Sequence, residues 1–146
     1  MSGTFAIRRA RPEELPACAD LYVEVLRQTF TWVPPERHRR EDFLSAARDE
    51  EVYVAVEGDR ILGLAAIYRP QRFLHSLYVE DRGRGIGKAL LDHVSRIVNG
   101  PIALKVQEPN RRAQAFYDRE GFRCVERGQD PGSDVAWRRL LRDPPA

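Results

Sequence analysis

The segment at residues 82–88, Arg-Gly-Arg-Gly-Ile-Gly-Lys, constrains this chain more than any other part. It joins an apolar run at 72–79, which predicts a strand, to an amphipathic run at 86–98, which predicts a helix. Glycines let the backbone turn tightly and approach a ligand, and the first N–H groups of a helix have no intrahelical partner. The helix dipole adds partial positive charge there. The turn, with its three basic side chains, therefore predicts a site for a phosphate or pyrophosphate.

Two well-known glycine signatures do not fit this segment. In the frame of an ATP-type P-loop, Arg82 stands where the first glycine belongs, and Ala89 supplies no hydroxyl for magnesium. In the dinucleotide pattern G-x-G-x-x-G, the third glycine would fall on Lys88 or Leu90. The sequence therefore argues against a nucleoside triphosphatase and against nicotinamide binding.

The turn resembles the acyl-CoA motif of the GCN5-related N-acetyltransferase (GNAT) family, in which Gln or Arg, two residues, Gly, one residue, and Gly or Ala follow the fourth strand. Arg82, Gly85 and Gly87 occupy its defined positions. Residues 110–122 read N-R-R-A-Q-A-F-Y-D-R-E-G-F and are similar to the second family signature, N-x-x-A-x-x-F-Y-x-x-x-G-F, at every named position. Because the two motifs are chemically independent, together they identify the chain as a member of this family.

The resemblance implies acetyl-CoA as cosubstrate, no metal, and direct transfer of acetyl to a primary amine of unknown identity. In the family, the pantetheine arm enters a gap between the fourth and fifth strands and pairs with backbone groups of the fourth. The implied cofactor-binding residues are Leu77, Tyr78, Val79, Arg82, Gly83, Arg84, Gly85, Ile86, Gly87, Lys88 and Asn110.

Three side chains carry two interpretations each. Tyr117 matches the family tyrosine that donates a proton to the departing CoA thiolate, and it also fits a buried core aromatic. His75 matches a position where some members place a base, because imidazole titrates near neutral pH, but a strand histidine also fits a structural role. Side-chain alternation predicts that His75 shares a face with residues 73, 77 and 79. Asn110 fits both a CoA contact and a helix N-cap.

The order of apolar patterns predicts β-α-α-β-β-β-α-β-α-β-β, with a hairpin turn at Gly58. We therefore expect one α/β domain over residues 1–146. The resemblance implies a mixed, mostly antiparallel sheet of about seven strands, splayed between the fourth and fifth, with four flanking helices. Many family members dimerise, and no patch in the sequence identifies an interface.

Composition narrows the remaining classes of function. The net charge is only +2 and the basic residues are spread along the chain, which argues against a nucleic-acid partner. No apolar run approaches the ~20 residues needed to cross a bilayer, and no signal peptide is evident, so we expect a cytoplasmic protein without a membrane partner. Cys18 and Cys124 lack the spacing of a zinc site and are expected to be packed thiols.

Two functions of other classes stay open at this point. One is a catalytically silent CoA-binding or sensing module, and the other is a protein-interaction adaptor that uses the aromatic and basic residues at 32–40. Trp32 could line an acceptor pocket or pack between the first two helices. His38 and His93 are expected on helices, as structural or surface residues.

Overall fold

The computed structural model describes residues 4–80 and 83–144 of the 146-residue chain. These residues form seven strands and four α-helices, in the order that the sequence predicts. The elements are β1 (Ala6–Arg9), α1 (Leu15–Thr29), α2 (Arg40–Ala47), β2 (Glu51–Glu57), β3 (Arg60–Tyr68), β4 (Phe73–Val79), α3 (Ile86–Val98), β5 (Ile102–Gln107), α4 (Arg111–Arg119), β6 (Arg123–Gln129) and β7 (Ala136–Arg142).

The strands form one sheet in the order β1-β2-β3-β4-β5-β7-β6. Every neighbouring pair is antiparallel except β4 and β5, which are parallel. A parallel pair needs a long crossover, and α3 supplies it. The turn between β2 and β3 contains Gly58 at φ 61°, as its hairpin position requires. The mixed, mostly antiparallel sheet is confirmed.

Strands β4 and β5 separate soon after they meet. Phe73 pairs with Ala103, and the Ala103 N–H donates to the carbonyl of Arg72 at 3.0 Å. Along the rest of β4 and β5 no further residue pair joins the two strands. The predicted splay is therefore confirmed, and it leaves one edge of β4 unpaired in the middle of the sheet.

Each face of the sheet has its own apolar core. Helix α3 buries Ile86, Leu90, Leu91 and Val94 on one face, a spacing that matches successive helical turns. Each such side chain contributes about 1.5–3 kcal/mol when fully buried. Helices α1 and α2 cover part of the other face around Phe43. The two cores hold the sheet rigid on both sides of the gap.

The cysteine prediction is correct for Cys18 and wrong for Cys124. Cys18 is fully buried, and desolvation raises its pKa to about 11. Cys124 is exposed, because β6 is an edge strand whose pairing shifts by one residue between Cys124 and Glu126. No helix in the described ranges is long and apolar enough to cross a membrane.

Candidate active site

A β-bulge in β4 determines where its side chains point. The pairing of β4 with β3 shifts by one residue between Ala66 and Ile67, which leaves His75 without a partner. An extra residue reverses the in-and-out alternation beyond it. Leu74 therefore packs in the same core as Leu77 and Val79. The expectation that 73, 75, 77 and 79 share one face is wrong for this reason.

The bulge also places His75 apart from the other predicted site residues. Its side chain is 48% exposed, and its Nδ1 lies 3.0 Å from Oε2 of Glu50. The hydrogen bond to Glu50 raises the pKa of His75. His75 does not line the large cavity described next.

A cavity of about 460 Å³ opens at the splay. Its walls come from β4, the N-terminus of α3, one face of α4 and the C-terminal end of α1. The predicted site residues that line it are Leu77, Tyr78, Val79, Gly83, Gly85, Ile86, Gly87, Lys88, Asn110 and Tyr117. The structure thus brings the two sequence motifs together on one concave surface.

The backbone of β4 faces this cavity at alternate residues. The Glu80 N–H donates to the carbonyl of Leu62 on β3 at 2.9 Å. Hydrogen-bonded pairs alternate with non-bonded pairs along an antiparallel ladder, so Tyr78 is bonded to β3 and its two neighbours are not. The N–H and C=O groups of Leu77 and Val79 therefore point into the gap, where an extended ligand can pair with them.

The N-terminus of α3 begins at a left-handed glycine. Gly83 and Gly85 have φ angles of 87° and 74°, values that disfavour any residue with a Cβ. The Gly85 carbonyl accepts the first intrahelical bond, from the Ala89 N–H at 3.0 Å. The N–H groups that precede Ala89 in α3 therefore have no acceptor within the helix. These N–H groups are the free donors on which the predicted phosphate site depends.

The basic side chains of the turn have carboxylate partners. Lys88 lies at the cavity but its Nζ is 2.9 Å from Glu120 and 3.5 Å from Asp92. Arg84 does not line the cavity, and its guanidinium is 2.9 Å from Glu57 at the end of β2. Arg82 lies outside the described residues. Among the described residues of this turn, the positive groups without a carboxylate partner are therefore the backbone N–H groups.

Sequence reasoning missed two arginines on α4. Arg112 and Arg119 both line the cavity and are largely exposed. Neither side chain makes a hydrogen bond or ion pair with another described residue. They are seven residues apart, which places them on one face of the helix. The seven-residue spacing of these two arginines within the second motif could have predicted that both face the ligand. The chain contains so many arginines that this spacing did not stand out.

Tyr117 is a core aromatic that is also part of the cavity wall. It is 9% exposed, and its ring packs against Phe116 and Phe122 at centroid distances of 5.1 and 5.3 Å. It also lines the cavity. Burial raises the pKa of its phenol above the ordinary value, so the hydroxyl stays protonated at neutral pH.

Asn110 caps α4 and also lines the cavity. Its Oδ1 accepts a hydrogen bond from the Ala113 N–H at 3.2 Å, so its role as N-cap is confirmed. A cap of this kind stabilises a helix by about 1 kcal/mol. The cap fixes the start of the helix that carries Tyr117.

The segment after α1 closes the far end of the cavity. Phe30 lines the cavity and packs on Trp32 at 5.1 Å, and the Trp32 Nε1–H donates to Gln107 Oε1 at 2.6 Å. Trp32 therefore links this segment to β5, rather than packing between α1 and α2. His38 lies before α2, not on it; it is buried beside Phe30 with no described partner for Nε2, and desolvation lowers its pKa.

The family model described as the acetyltransferase (GNAT) family matches residues 16–122. The matched stretch contains both motifs and most of the cavity wall. This chain belongs to the GNAT acetyltransferase family. The predicted family is therefore confirmed, and with it a place among the acyltransferases.

Several known proteins are similar to this GNAT chain. A mycothiol acetyltransferase of Corynebacterium aurimucosum is 40% identical over 86 residues, which make up 56% of this chain and 24% of that protein. The chain thus matches about a quarter of that relative's length. The PaiA N-acetyltransferase of Thermoplasma acidophilum, solved in complex with coenzyme A, has a TM-score of 0.77 at 20% identity, with coverage of 96% and 99% of the two chains.

A GCN5-related N-acetyltransferase of Rhodopseudomonas palustris gives a TM-score of 0.76 at 20% identity and covers 98% of both chains. At this identity the structural likeness establishes the fold alone. Among the described residues, no three His, Cys, Asp or Glu side chains are grouped so as to hold a metal ion.

Proposed function

We propose that this GNAT protein transfers acetyl from acetyl-CoA directly to a primary amine. The observation that carries the proposal is the convergence at one cavity of an unpaired strand edge, a helix N-terminus and the side chain of Tyr117. The family assignment supports it, and so does the coenzyme A complex of the structurally similar PaiA protein. A silent CoA-binding module would need the first two features but not the third.

The cosubstrate would bind along these features in order. The pyrophosphate would accept hydrogen bonds from the first N–H groups of α3, helped by the helix dipole. The amides of the pantetheine arm would pair with the backbone of Leu77 and Val79, as an added strand does. Arg112 and Arg119 would meet the remaining phosphate charge. This arrangement would bring the thioester between β4 and β5, beside Tyr117.

In the reaction, the amine nitrogen attacks the thioester carbonyl carbon and forms a C–N bond. The carbonyl reforms as the C–S bond breaks, the nitrogen loses one proton, and the sulfur leaves as a thiolate that gains one. Holding the amine and thioester in contact removes much of the entropic cost of their encounter. The products are the N-acetyl amine and CoA.

Tyr117 is the proposed acid. Its phenol stays protonated because burial raises its pKa, so it can donate to the departing sulfur over the whole neutral range. The sequence suggests His75 as the base that deprotonates the amine. Because His75 does not line the cavity, we propose instead that the amine loses its proton to water.

Replacing Tyr117 by Phe tests this assignment. We expect kcat to fall by about 10²-fold or more, while CoA affinity and melting temperature change little, because only one hydroxyl is lost. Tyr78→Phe is the matched control, since Tyr78 is a partly buried tyrosine that also lines the cavity. Rates are measured by release of free thiol in the presence of an amine panel, and CoA affinity by calorimetry.

Two results would contradict the assignment. One is full turnover by Tyr117→Phe, and the other is an equal loss of rate in Tyr78→Phe. If the parental chain binds CoA but acetylates none of the amines, the silent-module hypothesis replaces the enzyme.

A further inference from the structure

The half of the sheet formed by β5 and β7 has one face that α3 and α4 do not cover. On β5, Ile102, Leu104 and Val106 are buried in the core below α3, so the residues between them face the other way. The pairing of β5 with β7 is regular throughout. The resulting open face consists of Phe73, Ala103, Lys105, Gln107, Trp137, Arg139 and Leu141, and among these Ala103 is buried by its neighbours.

Two cations lie directly opposite each other on this open face. Lys105 pairs across the strands with Arg139, an arrangement that destabilises a sheet when nothing neutralises it. Within the described ranges neither side chain has a carboxylate within ion-pair distance. Glu126 lies opposite Arg139 on β6 but is more than 4.0 Å from it. Lys105 and Arg139 therefore make no direct ion pair within the described residues, although Glu126 is a cross-strand neighbour of Arg139.

The contacts of both cations are aromatic instead. Lys105 Nζ lies 4.1 Å from the centroid of the Trp137 ring, and the guanidinium carbon of Arg139 lies 5.6 Å from that of Phe73. Such contacts hold a cation in place and leave its remaining hydrogen-bond donors available. Both charges are thus oriented toward a ligand that supplies anionic oxygens.

Trp137 is a fixed part of this face. Its indole lies so close over Gly128 on β6 that a Cβ at that position would overlap the ring. Its Nε1–H donates to Asp130 Oδ1 at 3.1 Å. A tryptophan held on both sides presents a rigid surface, which lowers the entropic cost of binding a chain against it.

A series of side-chain contacts connects the open face with the cavity. Phe30 lines the cavity, Trp32 packs on Phe30, and Trp32 is hydrogen-bonded to Gln107. Gln107 lies directly opposite Trp137 in the sheet. Lys105 lies two residues before Gln107 on β5, roughly 7 Å away. A molecule whose amine reaches Phe30 can therefore contact both cations further along.

We propose, on the basis of the acetyl transfer proposed above, that the acceptor is an acidic peptide. Its α-amine enters the cavity beside Phe30, and carboxylates of its next few residues lie against Lys105 and Arg139. The open face spans about four residues of β5, roughly 13 Å, which suits an extended chain better than a small amine. Polyamines and basic peptides are disfavoured by the same two cations.

The experiment uses three synthetic hexapeptides with a free α-amine, which carry glutamate, glutamine or lysine at positions two to four. Thiol release gives kcat/KM for each peptide. We expect the glutamate peptide to exceed the glutamine peptide by about tenfold, mainly through KM, and the lysine peptide to be slowest. The advantage should shrink as salt is raised.

Charge reversal links this preference to the open face. Lys105→Glu and Arg139→Glu should each reduce the glutamate advantage, and the double variant should favour the lysine peptide. Arg96→Glu is the control, because it makes the same charge change at an exposed position on α3. Lys105→Gln and Arg139→Gln provide milder versions, which should bring the glutamate and glutamine peptides close to parity.

The results also separate this inference from the proposed function. Equal rates for the glutamate and glutamine peptides, or a preference that Lys105→Glu and Arg139→Glu leave unchanged, would overturn the acidic acceptor. A chain that acetylates benzylamine but shows no preference among the peptides overturns only this inference. A chain that binds CoA yet releases no thiol with any amine overturns acetyl transfer, and the acidic acceptor with it.

Discussion

Replacing Gly87 by alanine should strengthen the fold and leave CoA binding almost unchanged, whereas replacing it by valine should weaken CoA binding. Gly87 is the second residue of α3 and has an ordinary helical backbone. A Cβ there would lie 3.6 Å from Val79 Cγ2 and 3.7 Å from Phe116 Cζ, which are normal van der Waals distances. Alanine in place of glycine stabilises a helix by about 0.5–1 kcal/mol when nothing clashes. The free energy of unfolding should therefore rise by that amount.

The same methyl group would project into the cavity, because Gly87, Val79 and Phe116 all line it. It would lie beside the place where we put the pyrophosphate, at the first free N–H groups of α3. The family motif allows Gly or Ala at this position, so a single methyl group is expected to fit. The two further methyl groups of Gly87→Val would displace the phosphate and lengthen two or more hydrogen bonds to a charged group, each of which contributes about 1.5 kcal/mol or more. We expect the Kd for CoA to rise by at least tenfold in Gly87→Val and to change little in Gly87→Ala.

Urea denaturation and calorimetry with CoA measure the two effects separately. Gly58→Ala is the control, because Gly58 has φ 61° at the β2–β3 turn and nothing lies within 4 Å of its added Cβ. It should lower the unfolding free energy by about 1 kcal/mol without changing the Kd. Unchanged CoA affinity in Gly87→Val, with the fold intact, would refute the placement of the pyrophosphate on this turn.

Two further changes test other parts of the structure. Arg112→Ala and Arg119→Ala should each change the free energy of unfolding by no more than about 0.5 kcal/mol, because neither side chain has a described partner. Each variant should bind CoA several-fold more weakly, and its CoA affinity should depend less on salt concentration in calorimetric titrations. The hydrogen bonds from Arg69 hold the pKa of Glu51 at about 2, below its ordinary 4.5, so its charged form stabilises the fold above about pH 5. Glu51→Gln should lower the free energy of unfolding by about 1–2 kcal/mol at pH 7. In urea titrations, the difference in unfolding free energy between this variant and the parental chain should disappear as pH falls toward 2. A difference that stays constant with pH would contradict this account.

Local signals predicted the glycine turn and the cap well. Gly85 opens α3 in the left-handed conformation, and Asn110 caps α4, because both depend on the backbone of a few adjacent residues. The splay between β4 and β5 followed from the family resemblance rather than from any pattern within the strands. The cavity then formed from the two motifs that the sequence had marked.

Side-chain partners could not be predicted in the same way. The bulge at His75 shifts the alternation of β4, and no turn residue in the sequence marks it. Arg84 and Lys88 were expected at the phosphate, but Glu57 and Glu120, which are distant in sequence, neutralise them. Which cations stay without a carboxylate depends on neighbours across the sheet, so it is decided only when the chain folds.

The sequence by itself determined the order of the elements, the glycine turn before α3 and the family, since each depends on short-range patterns of glycine, polarity and apolar periodicity. Only the tertiary structure decided that Tyr117 lines the same cavity as the turn, that His75 lies outside it, and that Lys105 and Arg139 face each other. Pairing register and the separation of two strands set those distances. Register and strand separation depend on contacts between residues far apart in the chain, and these contacts determine which side chains are buried and which charges are paired.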